Sequence, residues 1–187
     1  MSRTLDFSVE KCPDLRHFSK NRSEKETTTD MKPIIVMAGT PVDTQMGMDC
    51  LSTQGLPGVF CPVSEDPNQQ TAFQISSTEE KIDTVVSLLC AAQREHGCEK
   101  AFIYCNSLSG ALDFQFVARE TGLKIVTPLD VYRLLAPKYH SLAVIAANAQ
   151  GTAGIERTLL SANPDLTLRS TGLLPVVLGI EAGEDPD

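Results

Sequence analysis

The sequence predicts an α/β protein in which crossover helices cover both faces of a parallel sheet. Short β-branched and aliphatic runs alternate with longer stretches of helical periodicity from residue 32 onward. Several of these runs are apolar at every position, as is typical of parallel strands that are buried on both faces. Small polar turns follow three of the runs and lead towards helices. Together these observations favour a doubly covered parallel sheet.

Five apolar runs are predicted to be strands, and they lie at residues 34–37, 58–63, 101–104, 123–126 and 142–146. A sixth run, at residues 173–180, contains Pro175, which has no N–H to donate to a sheet ladder. We therefore predict an edge strand or an irregular strand for that run.

Four helices are predicted, at residues 78–96, 109–120, 128–136 and 152–161. In the first helix Ser77 or Thr78 is a suitable N-cap, and Gly97 suits the position that follows the last turn. The third begins with Pro128, at the position where a helix tolerates proline.

The predicted domain organisation has three parts. Residues 1–31 are rich in charged and hydroxyl side chains and poor in aliphatic ones, so we expect a disordered polar extension. Residues 32–140 are expected to form a first α/β half-domain that contains Cys105. Residues 141–187 are expected to begin a second half-domain and to leave it incomplete.

Composition disfavours several classes of function. The formal net charge of −8, without a run of Lys or Arg, disfavours nucleic acid as a partner. No apolar stretch is long enough for a membrane span and no signal peptide is evident, so we expect a cytoplasmic protein without membrane association. The six cysteines contain no CxxC pair and the three histidines are far apart, so no metal site is predicted.

Three turns rich in small polar residues follow predicted strands, at residues 38–44, 105–110 and 147–152. The carboxyl ends of parallel strands meet at one edge of a sheet, which is where such folds bind ligands. Backbone N–H groups, hydroxyls and amides can hold a carboxylate or a phosphate without Lys or Arg. The alternative is that Gly, Thr, Asn and Ser serve there only as turn and cap residues.

Cys105 differs from the other cysteines because it ends a predicted strand and directly precedes a helix. The positive end of a helix dipole favours a thiolate, which is the nucleophilic and basic form of cysteine. The alternative is a structural thiol, which is also the preferred interpretation of Cys61. Asp43 either binds a substrate ammonium, orients the thiolate or caps a helix, and we favour the cap.

Three motifs, in this order, resemble the aspartate/glutamate racemase superfamily. They are the Gly39-x-Pro41-x-x-Thr44 turn, the Cys105-Asn106-Ser107 triplet, and the small-residue segment 146–154. The resemblance covers about residues 33–160, and its first turn looks closer to the aspartate racemase branch. It implies the flavodoxin-like half-domain of the racemase fold.

The resemblance also implies an activity. In this superfamily a cysteine thiolate removes the α-proton of an amino acid and a second cysteine returns a proton, without a cofactor or a metal. By position, Cys105 would be the first base, and the substrate would be a small acidic amino acid. A homodimer is a further expectation from the resemblance. The residues that the resemblance assigns to substrate binding are Thr40, Thr44, Asn106, Ser107 and Thr152.

One departure from the pattern leaves alternatives open. No cysteine follows Cys105 in this sequence, so the second base that the resemblance implies has no counterpart there. The first alternative is a catalytically inactive or truncated racemase-like protein that binds a carboxylate. The second is a lyase or decarboxylase of the same superfamily, in which a single cysteine protonates an enediolate from one face.

Overall fold

The computed structural model describes residues 31–181 and Gly183, so the extension predicted for residues 1–31 lies, apart from Met31, outside the described residues. The elements are β1 (Ile34–Met37), α1 (Pro41–Ser52), β2 (Gly58–Phe60), α2 (Pro67–Ile75), α3 (Thr78–His96), β3 (Lys100–Ile103), α4 (Asn106–Ala111), α5 (Phe114–Thr121), β4 (Lys124–Val126), α6 (Pro128–Leu135), a 3₁₀ turn (Ala136–Lys138), β5 (Ser141–Ala146), α7 (Ala149–Ala162), β6 (Thr167–Gly172) and α8 (Leu174–Glu181). No helix in this part of the chain is both long and apolar enough to cross a membrane.

The strands form two parallel sheets. The first has the order β2-β1-β3-β4, and the second pairs β5 with β6. In the first sheet Ile35 lies opposite Val59 on one side and Ala101 on the other, which makes β1 a central strand. The prediction of a parallel sheet with helices on both sides is therefore confirmed.

The core of the first sheet explains its strand sequences. Ile35, Val36 and Met37 are all fully buried, because helices cover both faces of β1. Helix α3 contributes Val85 and Leu89 to the same apolar cluster. The all-apolar composition of the strand thus follows from burial on both faces.

The helix boundaries follow from their caps. Helix α3 matches the predicted residues 78–96: Ser77 and Glu80 form a capping box at its start, and Gly97, with φ 67°, ends it. Helix α1 begins after Thr40, which accepts a hydrogen bond from the backbone N–H of Asp43, and Pro41 occupies its first turn.

The second sheet is covered on one face by α7. Along β5, half-buried residues alternate with exposed ones, and the half-buried Leu142 and Val144 pack with Ile155 and Leu159 of α7. This alternation is the pattern of a strand whose second face is open. Ile145, on that open face, is 72% exposed.

Helices α4 and α7 cross with their backbones close together. A Cβ placed on Gly110 would lie 3.3 Å from the Cα of Gly154, and the converse distance is also 3.3 Å. Neither helix has a side chain at the point of closest approach. The glycines therefore permit a tighter crossing than any larger residue would.

Two predictions about the fold are wrong. The run at residues 173–180 is not a strand but lies largely in helix α8, whose first turn accommodates Pro175. The single helix predicted for residues 109–120 is two helices, because the carboxylate of Asp113 accepts hydrogen bonds from the backbone N–H groups of Gln115 and Phe116 and so caps a new helix. Helices α1 and α2 and strand β6 were not predicted as elements.

Candidate active site

Cys105 lies between β3 and α4 and is the N-cap residue of α4. Its Sγ accepts a hydrogen bond from the backbone N–H of Leu108 at 3.4 Å, and the Ser107 hydroxyl lies 3.3 Å from the same sulfur. The Ser109 hydroxyl holds the local turn by donating to the Cys105 carbonyl at 2.6 Å. The start of α4 thus supplies one backbone donor to the Cys105 sulfur, and the Ser107 hydroxyl is close enough to form a hydrogen bond with it.

Cys105, Asn106 and Ser107 line a cavity of about 870 Å³. This volume lies within the range of small-molecule sites. Asp43 from the turn after β1 and Asn148 from the turn after β5 line the same cavity. The structure therefore brings together residues from all three polar turns that the sequence indicated.

The three predicted threonines do not line this cavity. The Thr40 hydroxyl donates to Asp43 Oδ2 at 3.0 Å, and the fully buried Thr44 hydroxyl donates to the Thr40 carbonyl at 2.7 Å. The Thr152 hydroxyl donates to the Asn148 carbonyl at 2.8 Å. In the described part of the chain these hydroxyls support helix N-termini, and their role in substrate binding stays a prediction.

Asp43 lies in the first turn of α1 and also lines the cavity. It was expected to be a helix cap, but the N-cap of α1 is Thr40, and Asp43 is the third residue of the helix, where its carboxylate accepts the Thr40 hydroxyl. Among the described residues that line the cavity, Asp43 is the one Asp, Glu, Lys, Arg or His. The described lining therefore contains one carboxylate and no basic side chain.

Asn106 presents an unpaired acceptor. Its Oδ1 atom is buried and has no hydrogen-bond partner within the described residues, and the residue lines the cavity beside Cys105. A buried acceptor without a partner costs free energy, roughly 1–3 kcal/mol.

Several lining residues were missed by the sequence analysis. Gln70 and Gln74 reach the cavity from α2, and Tyr132 and Tyr139 reach it from α6 and the segment after it. The dipeptide Asp66-Pro67, a good N-cap followed by proline at the first helical position, is the signal that would have identified α2. The tyrosines carry no local signal, since any partly exposed helix can contain them.

Cys61 is not placed to be a second base. It is a buried member of the apolar core of the first sheet and does not line the cavity. Burial raises the pKa of the Cys61 thiol to about 11, and the neighbouring Cys98 adds to the shift. The thiol is protonated near neutral pH, as expected of a structural cysteine.

Among residues 31–181 and Gly183, no group of three or more His, Cys, Asp or Glu side chains is arranged to hold a metal ion. Nor does any second thiol from that part of the chain line the cavity. The chemistry that the cavity offers is therefore that of one thiol, amides, hydroxyls and a carboxylate.

Fold and site together define an α/β protein with one thiol facing a cavity at the carboxyl edge of a parallel sheet. Neither the models of known protein families nor the curated proteins include a match to this chain. Solved structures do match. Glutamate racemase isoform RacE1 from Bacillus anthracis has a TM-score of 0.59 at 13% identity, over 81% of this chain and 58% of that one.

The glutamate racemase from Francisella tularensis gives a TM-score of 0.58 at 14% identity, over 81% of this chain and 57% of that one. Arylmalonate decarboxylase gives a TM-score of 0.50 at 18% identity, over 78% of this chain and 66% of that one. At these identities the likeness establishes the fold, which is that of the solved glutamate racemases. The chain spans less than two thirds of the length of these proteins.

Proposed function

We propose that this protein catalyses proton transfer at the α-carbon of an amino acid, without a cofactor, and that the Cys105 thiolate is the base. The observation that carries the proposal is the position of Cys105, which lines the cavity and whose Sγ has the Leu108 N–H and the Ser107 hydroxyl as neighbours. The fold shared with glutamate racemases and the Cys105-Asn106-Ser107 motif support the same chemistry.

In the proposed reaction the thiolate takes the α-proton and becomes a thiol. The electron pair of the broken C–H bond moves towards the substrate carboxylate, which becomes an enediolate. Asn106 and Ser107 are proposed to donate hydrogen bonds to this group, since both line the cavity next to Cys105. Donors fixed where negative charge develops are a major source of rate enhancement. Return of a proton from the thiol restores the substrate.

A racemase also needs an acid on the opposite face of the α-carbon. Within the described residues, Cys105 is the one thiol that lines the cavity. We therefore propose that this chain removes and returns the α-proton on one face of the substrate. The reaction to measure is then exchange of the α-proton with solvent, with retention of configuration. Racemisation and a homodimer remain proposals based on the resemblance of the motifs. The aspartate-type specificity that the same motifs imply conflicts with the lining of the cavity, which includes no Lys, Arg or His among the described residues.

A decarboxylase is the second candidate, and the single thiol favours it. In that reaction a malonate-type substrate loses CO₂, the electron pair of the broken C–C bond forms an enediolate, and the Cys105 thiol delivers one proton to one face. The fold likeness to arylmalonate decarboxylase is compatible with this chemistry. Decarboxylation in D₂O would then give a product with one deuteron and a single configuration.

The test is α-proton exchange in D₂O, followed by ¹H NMR on a panel of L- and D-amino acids. Cys105→Ser should lower the exchange rate by about 100-fold or more, since a general base contributes about 10²–10⁴. Cys50→Ser, at an exposed thiol of α1, is the matched control and should leave the rate unchanged.

If the unaltered protein exchanges no member of the panel, the catalytic proposal is wrong. Calorimetric titration with the same compounds would then test the alternative of a carboxylate-binding protein without turnover. Equal loss of exchange in both cysteine variants would also contradict a specific role for Cys105.

A further inference from the structure

We infer that the substrate is an α-amino acid with a large apolar side chain, and not one with a second carboxylate. The inference deepens the proposed function and rests on it. It is drawn from the unequal distribution of polar and apolar side chains around the cavity, which divides it into a polar end at Cys105 and an apolar wall formed by α6, β5 and α7.

The polar end offers acceptors that suit an ammonium group. Asp43 uses Oδ2 to accept the Thr40 hydroxyl, and its Oδ1 has no recorded partner among the described residues. An ammonium group has three donors and a positive charge, so it pairs with the carboxylate of Asp43.

The apolar wall offers no cation to a side-chain carboxylate. Its members are aliphatic or aromatic, namely Tyr132, Leu135, Leu142, Val144, Ile155 and Leu159. No Lys, Arg or His among residues 31–181 lines the cavity. A carboxylate moved out of water against this wall would lose hydration without gaining a cation, which is strongly unfavourable. Asp43, also negative, would repel it.

The size of the cavity admits a large substituent. At about 870 Å³, it has room for any amino acid, so the chemical character of its lining distinguishes among them. Aliphatic and aromatic groups gain from leaving water roughly in proportion to their buried area, and tyrosine rings pack well against them. Phenylalanine and leucine therefore gain more from contact with the apolar wall than aspartate and glutamate do.

The primary experiment compares kcat/KM for α-proton exchange of phenylalanine and leucine with that of aspartate and glutamate. We expect a preference of at least about 10-fold for the apolar pair, in the range that one or two hydrophobic contacts provide. Faster exchange of aspartate or glutamate would overturn the inference and leave the proposed function intact. If no amino acid is exchanged, the proposed function is wrong. Calorimetric titration of Cys105→Ser with the same four amino acids then tests by binding alone whether the cavity prefers apolar to acidic amino acids.

A cation placed in the apolar wall provides a second test. Leu135→Arg should lower kcat/KM for exchange of phenylalanine. It should also raise the ratio of kcat/KM for aspartate to kcat/KM for phenylalanine by about 10-fold, since Arg pairs with a carboxylate. Leu134→Arg is the matched control, because Leu134 is 71% exposed and does not line the cavity. An unchanged preference in a folded Leu135→Arg protein would contradict the assignment of this wall to the side chain.

The ammonium contact has its own test. Asp43→Asn should raise KM for phenylalanine by about 10-fold, as expected for loss of a charge-assisted contact. It should leave the affinity for 3-phenylpropanoate, which has no amine, nearly unchanged. Asp49→Asn is the control, since Asp49 lies on the exposed face of the same helix and accepts from Gln45. Equal effects on both ligands would contradict a role for Asp43 in amine recognition.

Discussion

The two sheets differ in how completely their apolar surfaces are covered. In the four-stranded sheet the central strand β1 is buried on both faces, whereas β5 in the two-stranded sheet is exposed at every second residue. Cys105 follows a strand of the first sheet, and most of the apolar wall of the cavity belongs to the second region. The thiol that we propose as the base thus lies on the better packed region, and the less covered region contributes most of the apolar lining.

The largest expected difference concerns buried leucines. Leu89→Ala, in the core of the first sheet, should lower the free energy of unfolding by about 3–5 kcal/mol, because a cavity remains among fully buried neighbours. Leu159→Ala in the second region should cost about 2–3 kcal/mol, since Leu159 already borders the cavity and water can fill the space. Urea unfolding measures both, and a larger cost for Leu159 would reverse the comparison.

Glycines at two helix contacts allow a second comparison of how tightly the molecule is packed. A Cβ on Gly47 would lie 2.6 Å from Val36 Cγ1 and 2.8 Å from Tyr104 Cβ, so Gly47→Ala should destabilise the protein by about 1–3 kcal/mol. At Gly110 the nearest atom is 3.3 Å away, and Gly110→Ala should cost less, about 1 kcal/mol or below. Thermal melting of both variants orders them, and equal stability of Gly47→Ala and the unaltered protein would contradict tight packing of α1 on the sheet.

The buried thiol of the first region predicts a pH dependence. The Cys61 pKa is raised from 9.0 to about 11 by burial and by Cys98. Between these values the unfolded chain has lost the proton and the folded chain keeps it, so stability falls as pH rises through this window and is unaffected below about pH 8. The full effect is on the order of 2 kcal/mol.

The measurement is the difference between the unaltered protein and Cys61→Ala in urea unfolding at pH 8 and pH 10, because the subtraction cancels other groups that titrate in this range. The unaltered protein should lose more stability between the two pH values. An identical loss in both proteins would show that the Cys61 thiol does not resist ionisation.

The smallest effect is expected on the open face of β5. Ile145→Thr should change stability by less than about 0.5 kcal/mol, because the side chain is mostly in water and threonine keeps the β-branched shape that strands favour. Val144→Thr, on the face that packs against α7, should cost about 1 kcal/mol or more, since it places a hydroxyl among apolar side chains. Chemical unfolding distinguishes the two, and a large cost for Ile145→Thr would show that this face is covered.

The fold was largely predictable because its signals are local. The apolar run of β1 and the N-cap of α3 each depend on neighbouring residues only. Both predictions are confirmed, and the cap is Ser77, one of the two residues that the sequence offered. The run at residues 173–180 was assigned wrongly because a short apolar segment fits a strand and a buried helix equally well. Every residue from Leu173 to Ile180 is apolar, so the segment has no periodicity that would separate the two, although Leu174 and Val176 are exposed in the structure.

The site was predictable only where one segment supplies it. Cys105, Asn106 and Ser107 come from a single turn, and the structure places all three at the cavity. Gln70 and Tyr132 come from helices that meet the turn in three dimensions, so no local pattern marks them. The sequence also cannot tell a hydroxyl that faces a ligand from one, such as Thr44, that donates to its own helix.

The crossing of α4 and α7 has a consequence for the width of the cavity. Helix α4 starts directly after Cys105 and α7 directly after Asn148, and both residues line the same cavity. Because the helices touch through Gly110 and Gly154, no rotamer change at this contact can absorb a displacement of one helix against the other. The relative position of two cavity-lining residues from different turns therefore depends on a contact between backbones.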